Sequence, residues 1–244
     1  MSLAIGGIQI KWFARPSESL ATSVTLTLQP IPPFRLDYTV WALRRRERNL
    51  IDRWDGATYW RVVVVEGCAT EVAIRQSDSK RDSKVLVVAT PPPRTAAQRR
   101  QLRAIVDRLL GLQIDLTDWY RIAEADDRLG DLARRFQGMK PPRFATVFEA
   151  VVNGFACQQL SLEVGLELLN RLARISGARC DEGSGPSYAF PTAADLLRLP
   201  VGAYRAIGYR GQKTKEIRQL EVAAVGGLAL DSLVDLENAA VRER

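Results

Sequence analysis

The sequence predicts an α+β fold, in which an antiparallel sheet with covering helices precedes an all-helical region. Two observations support this prediction. Three strand-like segments follow one another between residues 59 and 90, separated by short polar or glycine turns. From residue 118 onward the apolar residues recur with helical spacing. We therefore expect a sheet domain over residues 1–117 and a helical domain over residues 118–244.

The first half begins with an alternating strand at residues 24–30, which prolines end. A helix is predicted over residues 36–49, with Leu36, Val40 and Leu43 on its inner face. The remaining strands are expected at Tyr59–Val65, Ala69–Gln76 and Lys84–Thr90. Thr95 and Gln98 have capping-box spacing, so a second helix should run from there to about Leu110.

The second half is predicted to be helical, with breaks at glycine- and proline-rich segments. A Gly/Ser-rich loop is expected from Cys180 to Ser187, and Thr192 with Asp195 should cap the helix that follows it. The expected helices cover residues 118–125, 128–136, 145–159, 161–175, 212–225 and 231–241.

Composition removes several classes of function. The 244 residues include no histidine, which excludes Ser-His-Asp catalysis and histidine-ligated metals. The three cysteines are far apart and odd in number, against a disulfide scaffold or a paired-cysteine metal site. We expect no metal and no organic cofactor. No membrane span or secretory signal is apparent, and the three distant cysteines make a reducing cytoplasm the simplest setting.

Charge favours a polyanionic partner. The formal net charge is +7, of which residues 1–120 carry +6. Part of that excess is a run at the end of the predicted helix 36–49, namely Arg44, Arg45, Arg46 and Arg48. Cations near a helix C-terminus are favourable through the helix dipole, and the run is also a candidate surface for a protein or RNA.

The segment Phe148–Ser161 is the most informative in the chain. An apolar helix runs directly into Gln158 and Gln159, which Ser161 follows. Such a helix carries hydrogen-bonding side chains to a surface where a partner docks. The other interpretation is structural, with the two amides capping the helix end and holding the helix that begins at Ser161.

Four segments in order resemble helix-hairpin-helix DNA glycosylases, most closely the 3-methyladenine DNA glycosylase II group. They cover residues 136–144, 148–161, 190–192 and 207–213. The resemblance extends over about residues 118–241, and the preceding sheet is similar to the TATA-binding-protein-like N-terminal domain of this subfamily. It implies double-stranded DNA with damaged bases as the partner and hydrolysis of the N-glycosidic bond of alkylated purines as the reaction.

Within this resemblance, Gln159 occupies the place of the wedge that fills the gap left by a flipped nucleotide. The family often has an apolar wedge there. The turn Gly208–Lys215 offers Arg210, Gly211, Lys213 and Lys215 around the start of a helix, where exposed N–H groups favour a phosphate. A plain turn between two helices with a solvated basic face is the alternative for this segment.

The resemblance also implies a catalytic aspartate after a glycine-rich hairpin, and neither occurs before Arg244. The carboxylates present are better explained otherwise: Asp181 and Glu182 lie in a glycine loop, and Asp195, Asp231 and Asp235 lie at helix starts. We therefore expect an incomplete helical domain without glycosylase activity. Uncovered leucines and a valine near its end would then favour self-association, at Leu228, Leu230, Leu233, Val234 and Leu236.

Three functions remain open from the sequence. The first is the glycosylase, represented by an inactive chain. The second is a DNA-binding protein that holds lesions without cutting. The third is a basic α+β domain that binds a protein or RNA through Arg44–Arg48. Trp41, Trp54, Trp60 and Trp119 could line a base pocket, although tryptophans in sheets and helix packs are usually core.

Overall fold

The structure, a computed structural model, describes residues 25–77, 83–182 and 186–235. The sheet part contains β1 (Leu26–Leu28), α1 (Leu36–Arg44), β2 (Arg53–Trp54), β3 (Tyr59–Val65), β4 (Cys68–Gln76), β5 (Val85–Thr90) and α2 (Ala96–Leu110). The helices that follow are α3 (Thr117–Glu124), α4 (Asp127–Arg135), α5 (Val147–Cys157) and α6 (Leu162–Ser176). The last elements are β6 (Arg179–Cys180), β7 (Ser187–Tyr188), α7 (Ala193–Leu197), α8 (Val201–Ile207), α9 (Gln212–Val225) and a 3-10 helix at Leu230–Asp235.

Strands β1 to β5 form one antiparallel sheet in the order β1-β5-β4-β3-β2. The hairpin of β3 and β4 closes tightly, because Val65 pairs with Cys68 across a two-residue turn. Glu66 and Gly67 both have positive φ, at 45° and 80°, as a type I′ turn requires. The predicted antiparallel sheet is confirmed.

Helices α1 and α2 cover one face of the sheet. Their apolar residues, Leu36 and Val40 from α1 and Leu102 and Val106 from α2, are buried in one cluster with the strands. The predicted capping box is present, since Thr95 Oγ1 accepts from the Gln98 N–H at 3.0 Å and Gln98 caps in return. The α+β class is therefore confirmed for the part of the chain that the structure describes.

A second apolar cluster lies among the later helices. It is built mainly from α5, α6 and the α7–α9 region, with Val152, Leu169, Leu196 and Ile217 fully buried. Ile51, from the first half of the chain, belongs to this cluster. The hairpin of β6 and β7 packs against the opposite face of the sheet, where Cys180 contacts Val62. The boundary at residue 117 stays a prediction.

A buried charge network joins the two parts. Arg61 of β3 is 1% exposed, and its guanidinium donates to Asp52 Oδ1 and to both Glu149 carboxylate oxygens of α5, each at 2.6 Å. The Tyr59 hydroxyl also donates to Asp52 Oδ1 at 2.6 Å. Burial raises the pKa of Glu149, although Arg61 opposes the shift. The start of α5 is thus fixed to the sheet.

Several sequence predictions were wrong in detail. The helix predicted over residues 36–49 ends at Arg44, because Arg45 adopts a left-handed backbone with φ 60°. The loop predicted over Cys180–Ser187 contains the paired residues of β6 and β7. Helix α8 was not predicted, and the predicted last helix begins as 3-10. Residues 24 and 236–241 lie outside the described residues.

No helix in the described ranges is long and apolar enough to cross a membrane. Among these same residues there is also no cluster of three or more cysteine, aspartate or glutamate side chains that could hold a metal ion.

Candidate nucleic-acid interface

The end of α5 forms an exposed corner that places Gln159 at its tip. The helix ends at Cys157, Gln158 is its C-cap, and α6 begins one residue after Ser161. Gln159 has φ 56°, a left-handed conformation that non-glycine residues adopt only at a cost. Strained backbone of this kind concentrates at functional sites, which makes Gln159 a candidate on structural grounds.

The structural interpretation of the two amides receives no support from their contacts. Gln158 and Gln159 are exposed, and neither side chain hydrogen-bonds to a described residue. The helix end is held instead by the Gln158 N–H, which donates to the Gly154 carbonyl at 2.9 Å. Ser161 has a capping role, since its Oγ accepts from the Val164 N–H at 3.3 Å. Both amide groups are therefore free to contact a ligand.

The predicted phosphate turn lies at the start of α9. Gly208 and Gly211 both have positive φ, at 108° and 52°, which only glycine adopts without strain. Gly211 is the N-cap and offers no side-chain cap, so the first N–H groups of α9 have no capping side chain as acceptor. Arg210 and Lys215 are exposed on either side of this helix start. Such an arrangement suits an anion.

Lys213 joins this turn to the corner. Its ammonium donates to the carbonyl oxygens of Phe155 at 2.6 Å and of Gln158 at 2.5 Å. These carbonyls end α5, where a cation is stabilised by the helix dipole. The corner and the turn are thus adjacent on one surface. Because the Lys213 ammonium already binds two carbonyls of α5, its role here is to connect the corner to the turn.

The Arg44–Arg48 run lies beside the same corner. Arg45 donates to Asn153 Oδ1 of α5 at 2.8 Å, and Arg46 forms an ion pair with Glu163 of α6 at 2.7 Å. Sequence reasoning treated this run as a separate surface, because nothing local indicates that its partners are more than 100 residues away. In the structure, Arg45 and Arg46 contact the two helices that form the corner.

A buried hydrogen-bonded cluster connects α7, α8 and α9. The Tyr204 hydroxyl donates to Glu221 Oε1, and Arg218 donates to Glu221 Oε2 at 2.9 Å. The same guanidinium also donates to carbonyls at the end of α7. Burial raises the pKa of Glu221, while Tyr204 and Arg218 oppose the shift. The sequence pattern gave no sign of these residues, since their pairing depends on the helix packing.

The tryptophans divide between surface and partial burial. Trp41 is 64% exposed and stacks on Phe136 with ring centroids 6.3 Å apart, and Trp119 is 47% exposed. Trp54 and Trp60 are partly buried. The expectation that tryptophans are core residues was wrong for Trp41 and Trp119, because α1 and α3 each leave one face uncovered.

Three of the carboxylates considered from the sequence have structural partners, whereas the exposed Glu182 carboxylate has none among the described residues. Asp195 completes the cap of α7 with Thr192, and Asp231 Oδ1 accepts from the Val147 N–H at 2.8 Å at the start of α5. Asp181 pairs with Arg179 at 2.5 Å. None of these three contacts the Gln159 corner. The side chain of Asp235 lies outside the described residues.

The apolar residues expected to be uncovered near the end of the chain behave differently from one another. Leu228 is 43% exposed, as expected. Leu230 is only 9% exposed and belongs to the second apolar cluster, so that expectation was wrong. The side chains of Leu233 and Val234, together with Leu236, lie outside the described residues.

The chain is similar to known proteins in its fold, although not detectably in its sequence. No family model matches the sequence, and no curated protein matches it either. Among solved structures, the 3-methyladenine DNA glycosylase from Archaeoglobus fulgidus is similar, with a TM-score of 0.76 and 20% identity over 89% of this chain and 72% of that one. The 8-oxoguanine glycosylase/lyase of Clostridium acetobutylicum, bound to duplex DNA, gives a TM-score of 0.62 at 14% identity.

The Clostridium comparison covers 86% of this chain and 66% of that one, and its apo-form gives the same TM-score with 67% coverage. Both parts of the present chain therefore contribute to the likeness. The protein shares the fold of these 3-methyladenine and 8-oxoguanine DNA glycosylases.

Proposed function

We propose that this protein recognises damaged bases in double-stranded DNA as a base-excision-repair glycosylase of the 3-methyladenine type. The observation that carries the proposal is the Lys213 contact, which sets the exposed Gln159 beside the free N-terminus of α9. A base-contacting side chain and a phosphate-binding helix start then face the same ligand. The DNA glycosylases that share the fold supply independent support.

In this proposal Gln159 enters the gap left when a nucleotide turns out of the duplex. An amide suits this role because it offers one acceptor and two donors to the base that has lost its partner. Gln159 is exposed, so its amide is accessible to such a base. Arg210, Lys215 and the N–H groups of α9 hold a backbone phosphate close by.

Hydrolysis of the N-glycosidic bond of an alkylated purine leaves a cationic sugar in the transition state, which a nearby carboxylate stabilises. Asp181, Asp195 and Asp231 are engaged in the structural contacts given above. We therefore propose that the 244-residue polypeptide binds the lesion without releasing the base. This is also the observation that favours a lesion-binding protein as the second candidate function.

The binding proposal is tested with two otherwise identical duplexes, one intact and one containing a stable abasic-site analogue. Fluorescence anisotropy should show tighter binding to the abasic duplex. Gln159→Ala should reduce that preference about tenfold, since one well-placed contact of about 1.4 kcal/mol is lost. Gln137→Ala, which removes another exposed amide, is the matched control. Equal affinities for the two duplexes would overturn the proposal.

The phosphate contacts give a different signature. Arg210→Gln and Lys215→Gln should each weaken both duplexes equally and reduce the slope of log affinity against log salt by about 1. The chemistry is tested separately with methylated duplex DNA: release of free methylated bases by the pure 244-residue protein would contradict a binding-only role.

The protein- or RNA-binding alternative predicts another pattern. In that case Arg44→Glu with Arg45→Glu would abolish binding while Gln159→Ala would have no effect. Because Arg45 donates to Asn153 of α5, which leads into the corner, we expect the double variant to reduce binding of the abasic duplex as well. Loss of RNA or protein binding with unchanged DNA binding would favour the alternative.

We also propose that the protein self-associates at high concentration. Exposed apolar side chains support this, at Ile122, Leu129, Leu132 and Leu228. Sedimentation velocity should show the average mass rising with concentration, and Leu132→Glu should reduce the rise. A monomer of constant mass at all concentrations would contradict it.

A further inference from the structure

The first half of α2 and the residue before its N-cap carry four exposed arginines that form no ion pair with a described residue. We define the α2 arginine patch as Arg94, Arg99, Arg100 and Arg103, all of which are exposed. None of the four forms an ion pair with a described residue, and only Arg99 has a side-chain hydrogen bond, to the Pro93 carbonyl at 3.5 Å. Helix α2 has a single acidic residue, Asp107, in its second half.

This patch contrasts with other exposed helices of the same molecule. On α3, α4, α6 and α7 an arginine pairs with a carboxylate three or four residues away, in Arg121–Asp118, Arg134–Asp131, Arg171–Glu167 and Arg198–Asp195. On α2 the patch arginines form no such ion pair, and only Arg103 has an attractive carboxylate on its own helix, Asp107 four residues later. The excess charge of the patch is therefore a property of this surface and not of the chain in general.

The arrangement opposes helix stability. Arg99 and Arg103 are four residues apart and Arg100 and Arg103 three apart, so the guanidinium groups repel on one face by about 0.2–0.5 kcal/mol for each pair. Cations are also disfavoured near the positive end of the helix dipole. Apart from the long hydrogen bond of Arg99 and the attraction of Arg103 to Asp107, these arginines make no described stabilising contact, so their charge is available to a ligand.

The shape of the patch selects the kind of ligand. Only Arg94 of the four lines a described cavity, so a small anion bound there would meet only one of them. An extended polyanion with closely spaced charges can meet several, and duplex DNA carries one charge for about every 1.7 Å of its axis. Arginine also matches phosphate geometry in a bidentate manner.

We infer that the α2 arginine patch binds the backbone phosphates of duplex DNA at a place separate from the Gln159 corner. The two places are built from different elements, since the corner is held by α1, α5, α6 and α9 and the start of α2 contacts the turn between β3 and β4. The inference rests on the proposed function for its ligand. Binding there is independent of sequence and of damage.

The test uses the full chain and an undamaged duplex of about 30 base pairs, with affinity measured over a range of salt. The variant Arg99→Gln/Arg100→Gln/Arg103→Gln should bind at least tenfold more weakly, and its salt slope should fall by about 2–3, since each phosphate contact contributes about 0.9. The control Arg121→Gln/Arg134→Gln/Arg198→Gln removes the same charge from paired positions and should change the slope by less than 1.

Two further measurements separate the contact from structural effects. The melting temperature of the α2 variant should stay equal to that of the wild type or rise, because like-charge repulsion is removed. Replacement of the same three residues by lysine should retain most of the slope, since charge is kept. An unchanged slope, or a loss no greater than the control's, would overturn the inference.

This outcome is distinguishable from failure of the proposed function. If the α2 variant binds normally while Gln159→Ala still loses its preference for the abasic duplex, only the patch is refuted. If the wild type shows no preference for the abasic duplex but the α2 variant still loses salt slope, the patch is retained and the damage-recognition proposal fails.

Discussion

At the scale of single residues, two glycines near the corner have opposite roles. A Cβ at Gly165 would lie 2.7 Å from Cys157 Sγ and 2.9 Å from Cys157 Cα, so α5 and α6 approach closely only because this residue has no side chain. A Cβ at Gly154, on α5, would meet nothing within 4 Å. The distance between the helices is thus controlled at one position and not at the other.

Substitution of these glycines by alanine should therefore have opposite effects. Gly165→Ala should lower the free energy of unfolding by about 1–3 kcal/mol, because the helices must separate. Gly154→Ala should raise it by about 0.5–1 kcal/mol, because alanine favours the helix. Urea denaturation measures both. Two changes of the same sign would contradict the close contact at Gly165.

At the scale of elements, the junction of α5 and α9 keeps the Gln159 corner beside the start of α9. Only Lys213 is seen to connect the end of α5 with the start of α9 through side-chain hydrogen bonds in the described residues. Exposed Lys215, two residues later, makes no such contact. The two lysines of one turn thus have separable roles.

Lys213→Met should reduce the free energy of unfolding by about 1–2 kcal/mol, because two carbonyls at the end of α5 lose a charged donor. It should also speed hydrogen exchange at the end of α5. Lys215→Met is the matched control, which should leave stability unchanged while it lowers the salt slope of DNA binding by about 1. Equal effects of the two variants on stability would contradict the assignment.

The buried Glu221 carboxylate, which accepts from Tyr204 and Arg218, makes the stability of the fold depend on pH. Burial raises the pKa of Glu221 above its ordinary value of 4.5 in the folded protein. The folded state therefore holds this proton more tightly than the unfolded chain. The stabilisation from this group is complete below pH 4.5 and decreases as the pH rises through the raised value.

Glu221→Gln removes this titration. The variant should be less stable at low pH by about 1–3 kcal/mol, because the amide cannot accept from Tyr204 and Arg218 together. Its stability should also fall less steeply than that of the wild type between pH 4.5 and neutrality. Thermal unfolding across that range, with Glu216→Gln as control, measures the difference. If the stability of the wild type and of Glu221→Gln changed equally with pH, the raised pKa of Glu221 would be refuted.

The sequence predicted elements better than it predicted their connections. Strand β3 and helix α9 were predicted with their observed bounds, and the caps at Thr95 and Thr192 were identified, because these signals are local. The Gln159 corner was located for the same reason. The role of Lys213 was missed, since its carbonyl partners lie 55 and 58 residues away and have no sequence signature.

At the scale of the whole molecule, the Arg61 network determines how the helices sit on the sheet. Among the described residues, only Arg61 of β3 donates to both Asp52 and Glu149. All three side chains are nearly inaccessible to solvent. A buried ion pair of this kind contributes little net stability, but removing one partner leaves uncompensated charge. The network therefore fixes geometry more than it adds stability.

Arg61→Met should lower the free energy of unfolding by about 3–5 kcal/mol, because Asp52 and Glu149 would remain buried without a counter-charge. The triple variant Arg61→Met/Asp52→Asn/Glu149→Gln should recover part of that loss, since no buried charge remains. Denaturant unfolding of the two proteins measures the recovery. A triple variant as unstable as Arg61→Met would show that the charge balance is not the cause.

The Lys213 bridge has a mechanical consequence for any duplex that presses on the tip of the corner. In the proposed complex, a displacement of Gln159 would pass through the last carbonyls of α5 and Lys213 into the first turn of α9. The corner and the start of α9 would then move together as one rigid unit.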